Sequence, residues 1–385
     1  MPPNGHAARS YRLIDADSHV NEPPDLWQSR VPAAYRDRAP HMEHFDDGDA
    51  WVLEGVSDPI TFGLNATAGL APGEMRQWVR WEDIRRGGWD PAARLAEMDT
   101  DGIDAQILYP TPRLSHSIIA NQDPDFHLSL VRAYNDWLGE YCAHAPHRLG
   151  GLVMIPNRGV AAAVAELERA MQLPGMVGAL VTCYPHGDLD IRPEDDPVWR
   201  AVAQSGYPLH IHVSMINEMP GAHKAKVVGA VRFWDAPTRI LQLVQTGVFD
   251  RIPDLQVVVT ETDCGWVPYL KEQADDRFHR LDRGAATVER LPSDYIADHF
   301  SFTYITDHYG IRNRHDIGVE RILWSSDYPH VGADWPNSWR TIAGDFSGVD
   351  RAERDLILAG NAERLYRFSG KVGTLRAVEA VGARR

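Results

Sequence analysis

The sequence is short of cysteine and of basic residues, and both deficits exclude classes of protein. Among its 385 residues are three cysteines, Cys142, Cys183 and Cys264, which lie far apart and form no Cys-x-x-Cys pair. They therefore predict no disulfide framework. Lysine and arginine number 39 against 54 aspartates and glutamates, which gives a net charge of −15. Because no Lys/Arg-rich run is present either, we expect no nucleic-acid partner.

Long apolar stretches are absent as well. No uninterrupted run of about 18 apolar residues is present, which argues against a membrane span. The first six residues, MPPNGH, lack the charged start and the apolar stretch of a signal peptide. We therefore expect a soluble, reduced, cytoplasmic protein that acts without a membrane.

What the sequence does contain is a series of short apolar runs that alternate with helical patterns. The runs are rich in Val, Ile and Leu and show little alternation, which is typical of parallel strands covered on both faces. Expected strands are 12–17, 105–109, 149–155, 177–182, 208–213, 256–260, 300–305 and 322–326. Expected helices are 91–101, 124–145, 160–171, 197–204, 238–248, 267–283 and 352–368, with a weak pattern at 309–318. Eight strands mostly separated by helices predict an α/β fold, a (β/α)8 TIM barrel built as one domain over residues 1–385.

One segment does not fit a single strand–helix unit. Residues 23–89 are rich in Pro, Gly, Asp and aromatic residues, including Trp51, Trp78, Trp81 and Trp89. We expect this segment to be an insertion after the first strand that forms a lid over one barrel end, with ordinary packing as the alternative for its tryptophans. Residues 215–234 are a candidate second lid segment.

The strongest local signal is the run IDADSHVNEP at residues 14–23. Because side chains two apart on a strand share a face, Asp15, Asp17 and His19 could all point into a barrel mouth. A carboxylate and an imidazole at this spacing suit a divalent metal of the Zn, Mn or Fe type. Taken alone, the run could equally be a capping aspartate followed by a core histidine.

Two further runs place similar residues at other strand ends. PLHIHVS at 208–214 carries His210 and His212 on one face of an expected strand, and ILWSSDYPH at 322–330 places Asp327 after another. Barrel enzymes carry catalytic groups at such ends. A core histidine and a loop-capping aspartate are the alternatives for each run alone, but together the three runs favour one shared metal site.

The combination resembles the amidohydrolase superfamily, in the branch called amidohydrolase family 2, which includes amino-carboxymuconate-semialdehyde decarboxylase and gamma-resorcylate decarboxylase. The resemblance extends from Asp15 to the terminal helix around 360–366, and PDL at 253–255 and GWVP at 265–268 also match that branch. It implies one divalent metal ion at the C-terminal face of a barrel, with zinc expected first and manganese or iron as alternatives. The implied ligands are Asp17, His19, His212 and Asp327, with His210 as the alternative on the fifth strand.

One position departs from the family pattern. Characterised decarboxylases of this branch carry a histidine at the end of strand six, where this chain has Glu261. A carboxylate there could act as a general base, bind the metal water or orient a substrate hydroxyl, or it could be a structural glutamate paired with an arginine or a backbone amide.

The departure sets the order of the functional hypotheses. The first is a metal-dependent hydrolase that uses an activated water to cleave an amide, ester or C–C bond in a small organic substrate, with Asp327 transferring the proton and Glu261 holding the water. The alternative is a metal-dependent non-oxidative decarboxylase of a small aromatic or unsaturated carboxylic acid. A metal-free barrel used for binding or assembly is the third hypothesis.

Three residues complete the expected site. His330 is expected to contact the substrate or a ligand, with stabilisation of a turn as the alternative. Glu22 is expected to bind substrate or to orient a ligand histidine. Arg113 is expected to bind a substrate carboxylate, with an exposed loop arginine as the alternative. The expected partners are a small-molecule substrate and a second copy of the chain, because homodimers are common among the proteins it resembles.

Overall fold

A computed structural model describes residues 11–218, 233–280 and 288–368 of the chain, and eight of its strands form a parallel barrel. The barrel order is β1-β5-β6-β7-β8-β9-β10-β11, so each barrel strand pairs with the next one along the chain. The predicted TIM barrel is therefore confirmed. The strands are β1 (Ile14–His19), β2 (His41–Phe45), β3 (Gly48–Val52), β4 (Ile60–Thr61), β5 (Ala105–Tyr109), β6 (Leu149–Met154), β7 (Met176–Leu180), β8 (Leu209–His212), β9 (Val257–Thr260), β10 (Phe300–Tyr304) and β11 (Ile322–Trp324).

The barrel closes where the residues after β11 meet β1. The backbone N–H of His19 donates to the carbonyl of Tyr328 at 2.6 Å, and the N–H of Asp327 donates to the carbonyl of Asp17 at 2.9 Å. Ser18 and Tyr328 form a parallel bridge at the same place. We call this contact between β1 and residues 325–330 the seam. It brings residues from the two ends of the chain together at the C-terminal face of the barrel.

Helices cover the outside of the barrel and shield the apolar strands from water. The α-helices are α1 (Leu26–Arg30), α2 (Pro91–Asp101), α3 (Pro112–Ala120), α4 (Pro124–Ala143), α5 (Val160–Ala170), α6 (Asp196–Ser205), α7 (Ala236–Gln245), α8 (Val248–Arg251), α9 (Val267–Arg280), α10 (Pro292–His299), α11 (His308–Arg312), α12 (Arg314–Ile317), α13 (Ser338–Asp345), α14 (Arg351–Asp355) and α15 (Asn361–Tyr366). Among the described residues, no helix is long and apolar enough to cross a membrane.

Several expected boundaries differ from those in the structure. The first strand begins at Ile14 rather than at residue 12 and continues to His19, because Ser18 and His19 still pair with β5. The expected helix 352–368 is interrupted by a π-turn at Leu356–Gly360. Residues 281–283 of the expected helix 267–283 and residues 219–232 of the expected second lid lie outside the described residues.

The chain between β1 and α2 forms a small sheet of its own. Strands β2, β3 and β4 are antiparallel, and an aromatic set packs around them. Trp27 and Trp51 meet edge to face at 5.3 Å, and Trp81 lies 5.9 Å from Trp89. Trp27 and Trp51 are buried in the main apolar core. Packing therefore accounts for these two tryptophans, and the lid role of residues 23–89 stays a prediction.

Candidate metal centre

Six polar side chains converge at the C-terminal face of the barrel, next to the seam. They come from the ends of β1, β8 and β9 and from the loop after β11, and they are Asp17, His19, His212, Glu261, Asp327 and His330. They divide into two overlapping groups, each with all of its candidate ligand atoms within 4.8 Å of one another. The first group is Asp17, His19, His212 and Glu261, and the second is His19, Glu261, Asp327 and His330.

His19 lies at the centre of this cluster. Its Nε2 is 3.2 Å from Nε2 of His212, 3.4 Å from Oδ1 of Asp17 and 3.5 Å from Oδ1 of Asp327. Its Nδ1 lies 2.9 Å from the carbonyl oxygen of Pro110, so Nδ1 carries the hydrogen and Nε2 presents its lone pair to the cluster. Burial lowers the pKa of His19 to about 4, which keeps the ring neutral at pH 7. A neutral imidazole with a free lone pair is the form that binds a metal.

His330 and Asn65 hold Asp327 in place. Nδ1 of His330 lies 2.9 Å from Oδ1 of Asp327, and Nδ2 of Asn65 lies 3.1 Å from Nε2 of His330. The Asn65 amide donates to Nε2, so Nδ1–H of His330 donates to the carboxylate. The His330 ring also stacks on His19 with a centroid distance of 3.8 Å. Residues 23–89 therefore supply one contact to the cluster through Asn65, which no sequence pattern indicated.

Glu261 closes the opposite side of the cluster. Its Oε2 lies 3.1 Å from Nε2 of His212, and its side chain is 15% exposed where that of Asp17 is fully buried. The backbone turns sharply here, because Glu261 has φ 55° and Asp327 has φ 56°. Non-glycine residues in this left-handed region cost about 1–3 kcal/mol each and are concentrated at functional sites. The alternative was a glutamate paired with an arginine or a backbone amide, whereas the partner found here is His212.

The donor set fits a divalent transition metal. Two imidazole nitrogens that face each other at 3.2 Å, surrounded by carboxylates, are the ligands that Zn, Mn and Fe share. Three carboxylates placed this close together repel one another when ionised, and a cation between them relieves that repulsion. The structure thus brings together all four side chains expected as ligands from the sequence and adds Glu261 as a possible donor.

The sequence itself matches one protein family over almost its whole length. A model of the amidohydrolase family matches residues 14–368. The chain belongs to the amidohydrolase family. This confirms the resemblance carried by the three sequence runs, and the protein is an enzyme of that superfamily.

Individual relatives align with most of this chain. Gamma-resorcylate decarboxylase from Rhizobium radiobacter is 27% identical over 337 residues, which cover 80% of this chain and 95% of that enzyme. An amidohydrolase structure from Mycobacterium avium subsp. paratuberculosis has a TM-score of 0.72 and 21% identity, covering 93% of this chain and 98% of that one. A dihydroxybenzoic acid decarboxylase from Polaromonas sp. JS666, solved with manganese and the inhibitor 2-nitroresorcinol, has a TM-score of 0.62 and 20% identity, covering 93% and 97%. The two structures support the barrel fold.

Asp15 on β1 and His210 on β8, the fifth strand of the barrel, lie apart from the cluster. The Asp15 carboxylate accepts hydrogen bonds from Gln106 and from the backbone and hydroxyl of Ser326. The register of β1 against β5 shifts between Asp15 and Ser18, so simple alternation fails here and Asp15 does not join Asp17 and His19. His210 bonds the hydroxyl of Tyr109 at 2.6 Å, so of the two strand-five histidines it is His212 that joins the cluster.

The two expected substrate contacts, Glu22 and Arg113, are not among the six residues of the cluster, and their substrate role stays a prediction. Oε1 of Glu22 accepts from the backbone N–H of Thr111 at 2.9 Å, and burial raises the pKa of Glu22 to about 7. Glu22 thus bonds the chain after β5 instead of a ligand histidine. Arg113 is exposed in the first turn of α3, so it is exposed as the alternative expected but does not lie in a loop. Its place after a barrel strand keeps it on the face that holds the cluster.

His116 is a site residue that the sequence analysis missed. It lies in α3, and burial lowers its pKa to about 3, with smaller contributions from the charges of His212 and Arg113. The contribution of His212 indicates that His116 lies near the His212 side of the cluster. Pro112 at the start of α3 could have revealed it, because proline is favoured in the first turn of a helix and a helix that begins directly after β5 carries its first turns past the barrel mouth.

Proposed function

We propose that this amidohydrolase is a metal-dependent, non-oxidative decarboxylase of a small aromatic or unsaturated carboxylic acid. The observation that carries the proposal is the convergence of six candidate ligand and proton-transfer side chains on one point of the barrel face. The relatives favour decarboxylation over hydrolysis. Gamma-resorcylate decarboxylase matches 95% of its length to this chain, and the Polaromonas decarboxylase was solved with manganese and 2-nitroresorcinol.

The proposed metal ligands are Asp17, His19 and His212, and Asp327, which lies next to β1 across the seam, completes the set. A divalent ion bound there would hold the substrate carboxylate and a neighbouring hydroxyl and would neutralise their negative charge. Manganese has the support of the Polaromonas structure, and zinc, expected from the sequence, stays a prediction. Because His19 is held neutral with its lone pair on Nε2, it is ready to bind at neutral pH.

Asp327 is the proposed proton donor. Its carboxylate takes up a proton from solvent and transfers it to the carbon that bears the substrate carboxylate; the C–C bond then breaks, its electron pair stays with that carbon, and CO2 leaves. The Nδ1–H of His330, 2.9 Å from Oδ1, stabilises the carboxylate that results. Positioned proton transfer of this kind contributes about 10²–10⁴-fold to a rate. Arg113, exposed after β5, would attract an anionic substrate to the mouth.

Hydrolysis is the second candidate, and Glu261 favours it. Its carboxylate lies beside His212 and is the most exposed of the first ligand group, which is where a water-activating base would stand. Under this alternative Glu261 holds the attacking water and Asp327 takes up its proton, as the sequence analysis expected.

The deciding experiment compares products. The metal-loaded enzyme is incubated in D2O with a panel of hydroxybenzoates that includes 2,6-dihydroxybenzoate, and CO2 and ring deuterium are measured. One CO2 and one deuterium per product support the proposal. In a parallel panel of amides and esters in H2¹⁸O, ¹⁸O in the product without CO2 release from the acids would overturn it in favour of hydrolysis.

Assembly and location also belong to the proposal. We expect the enzyme to be a homodimer in the cytoplasm. Sedimentation equilibrium of the full chain tests the first expectation, since a mass of 43.1 kDa at micromolar concentration would contradict a dimer.

A further inference from the structure

One buried face of α2 carries polar residues. Arg94 and Asp101 are buried on this helix together with Met98. Arg94 is fully buried, and no carboxylate forms an ion pair with it among the residues described. A buried guanidinium without a paired carboxylate is costly, so its hydrogen bonds must matter to the fold or to the site.

Arg94 donates to atoms of the seam. Its Nη1 lies 2.8 Å from the carbonyl oxygen of His19 and 3.2 Å from that of Gly87. Its Nε lies 2.6 Å from Oε1 of Gln106. The guanidinium also lies over the ring of Tyr328 at 4.4 Å. Arg94 therefore contacts the backbone of a proposed ligand, His19, and the residue that follows another, Asp327.

The Gln106 amide extends this contact to the other side of the seam. Its Nε2 donates to the Asp15 carboxylate at 2.8 Å, and that carboxylate accepts from the backbone N–H and the hydroxyl of Ser326 at 2.9 and 2.5 Å. The Gln106 side-chain amide thus links the guanidinium of Arg94 to the carboxylate of Asp15. The chain of bonds runs from α2 through β5 and β1 to the residue before Asp327.

The next turns of α2 bind the chain beyond Asp327. The hydroxyl of Tyr328 donates to Glu97, and Ser338 donates to Asp101 through its backbone and hydroxyl. Arg94, Glu97 and Asp101 have the i, i+3, i+7 spacing that places residues on one helix face. A single face of α2 therefore binds both sides of the seam.

We propose that Arg94 is a positioning residue that fixes the distance between His19 and Asp327 across the seam, and so tunes the affinity of the site for a divalent ion. The proposal rests on the metal centre proposed above. Outer contacts that orient ligands typically change metal affinity about 10–100-fold when removed. Arg94 acts through the His19 carbonyl and the Tyr328 ring and does not touch the ion.

The test compares Arg94→Met with Arg148→Met. Arg148 is a matched control, because it also donates to two backbone carbonyls, those of Ile103 and Asp104, but at the start of β5, away from the metal centre. We expect Arg94→Met to weaken Mn²⁺ and Zn²⁺ binding to the metal-free protein about 10–100-fold, measured by titration. Arg148→Met should change it by less than about threefold, within the usual scatter of a surface change.

A second measurement does not depend on metal. Hydrogen–deuterium exchange of peptides covering residues 14–22 and 324–331 in the metal-free protein should be faster in Arg94→Met and unchanged in Arg148→Met. If Arg94→Met fails to fold, Arg94→Lys takes its place, since lysine keeps the charge and loses the planar fork; intermediate effects are then expected.

The outcomes separate the two proposals. Wild-type affinity together with wild-type seam exchange in the Arg94 variant overturns the positioning role. If the wild-type chain binds neither ion, the proposed function fails, while the exchange comparison still decides whether Arg94 holds the seam.

Discussion

Asp327 is the residue on which the proposed chemistry depends most. We expect Asp327→Asn to lower kcat by about 10²–10⁴-fold, because the amide cannot supply the proton, while the barrel still folds. Steady-state kinetics with the best substrate of the panel checks this, with thermal unfolding of the metal-free protein to report folding. Asp316→Asn, on the exposed end of α12, is the control and should keep wild-type kcat. A fall of less than tenfold for Asp327→Asn would assign the proton to another group.

A buried histidine outside the site should make stability depend on pH. Nδ1 of His127 bonds the carbonyl of Ile118, and its Nε2 accepts from the N–H of Asn157, so the folded protein holds the neutral ring. Burial lowers its pKa to about 4, from an ordinary value of 6.5. Between about pH 6.5 and pH 4 His127 is therefore protonated in the unfolded chain but not in the folded protein. The free energy of unfolding falls as the pH drops through this interval.

Replacing His127 should remove this dependence. When the pH falls from 7 to 5, protonation of His127 in the unfolded chain lowers the free energy of unfolding by about 2 kcal/mol. His127→Gln should therefore lose less stability than wild type over that interval, whatever its stability at pH 7. Urea unfolding at both pH values measures the difference, and His147→Gln, an exposed position, supplies the control. Equal losses for His127→Gln and wild type would show that the ring is protonated in the folded state.

The sequence predicted the site residues that strands position and missed those that the insertion and α3 position. Asp17, His19, His212 and Asp327 follow apolar strands whose ends must converge in a barrel, so their meeting was predictable. Asn65 could not be found, because its contact with His330 depends on how residues 23–89 pack. Asp15 was wrongly grouped with Asp17, since a register shift in β1 is invisible to a rule of strict alternation.

Residues 23–89 contact the segment that carries Asp327 and His330 at more than one point. Besides the Asn65 contact, the backbone N–H groups of Thr67 and Ala68 donate to the carbonyl of Pro329. We expect Asn65→Leu to lower kcat about 2–10-fold, the cost of one neutral hydrogen bond, and to shift the pH profile of kcat because His330 loses its partner. An unchanged kcat with an unchanged pH profile of kcat would show that Asn65 contributes only to packing.

The lid role predicted for residues 23–89 can be tested on the same element. If the segment opens to admit substrate, binding of 2-nitroresorcinol should slow its cleavage by trypsin, which reaches only segments that open. Arg76 and Arg80 offer cleavage positions inside the segment. Mass spectrometry of the fragments measures the rate. Equal cleavage rates with and without the ligand would contradict the lid role of residues 23–89.

At the scale of the whole molecule, an ion held by three strand ends should stabilise the barrel against unfolding. A ligand that binds only the folded state contributes about 2.7 kcal/mol at a hundredfold excess over its Kd. We expect Mn²⁺ or Zn²⁺ to raise Tm and a chelator to reverse the rise. His212→Ala should abolish the rise, and His299→Asn, whose ring packs on Phe249 far from the cluster, should keep it. A rise that survives in His212→Ala would place the ion elsewhere.

The seam also joins two segments that lie far apart along the chain. Asp15 and Ser326 touch although 311 positions separate them along the chain, and the proposed ligands His19 and Asp327 lie on the same two segments. The first of these ligands lies early in the sequence and the second at position 327, so a nascent chain can form the seam only after both segments have been synthesised. The proton donor proposed above therefore joins the site after Asp17, His19, His212 and Glu261.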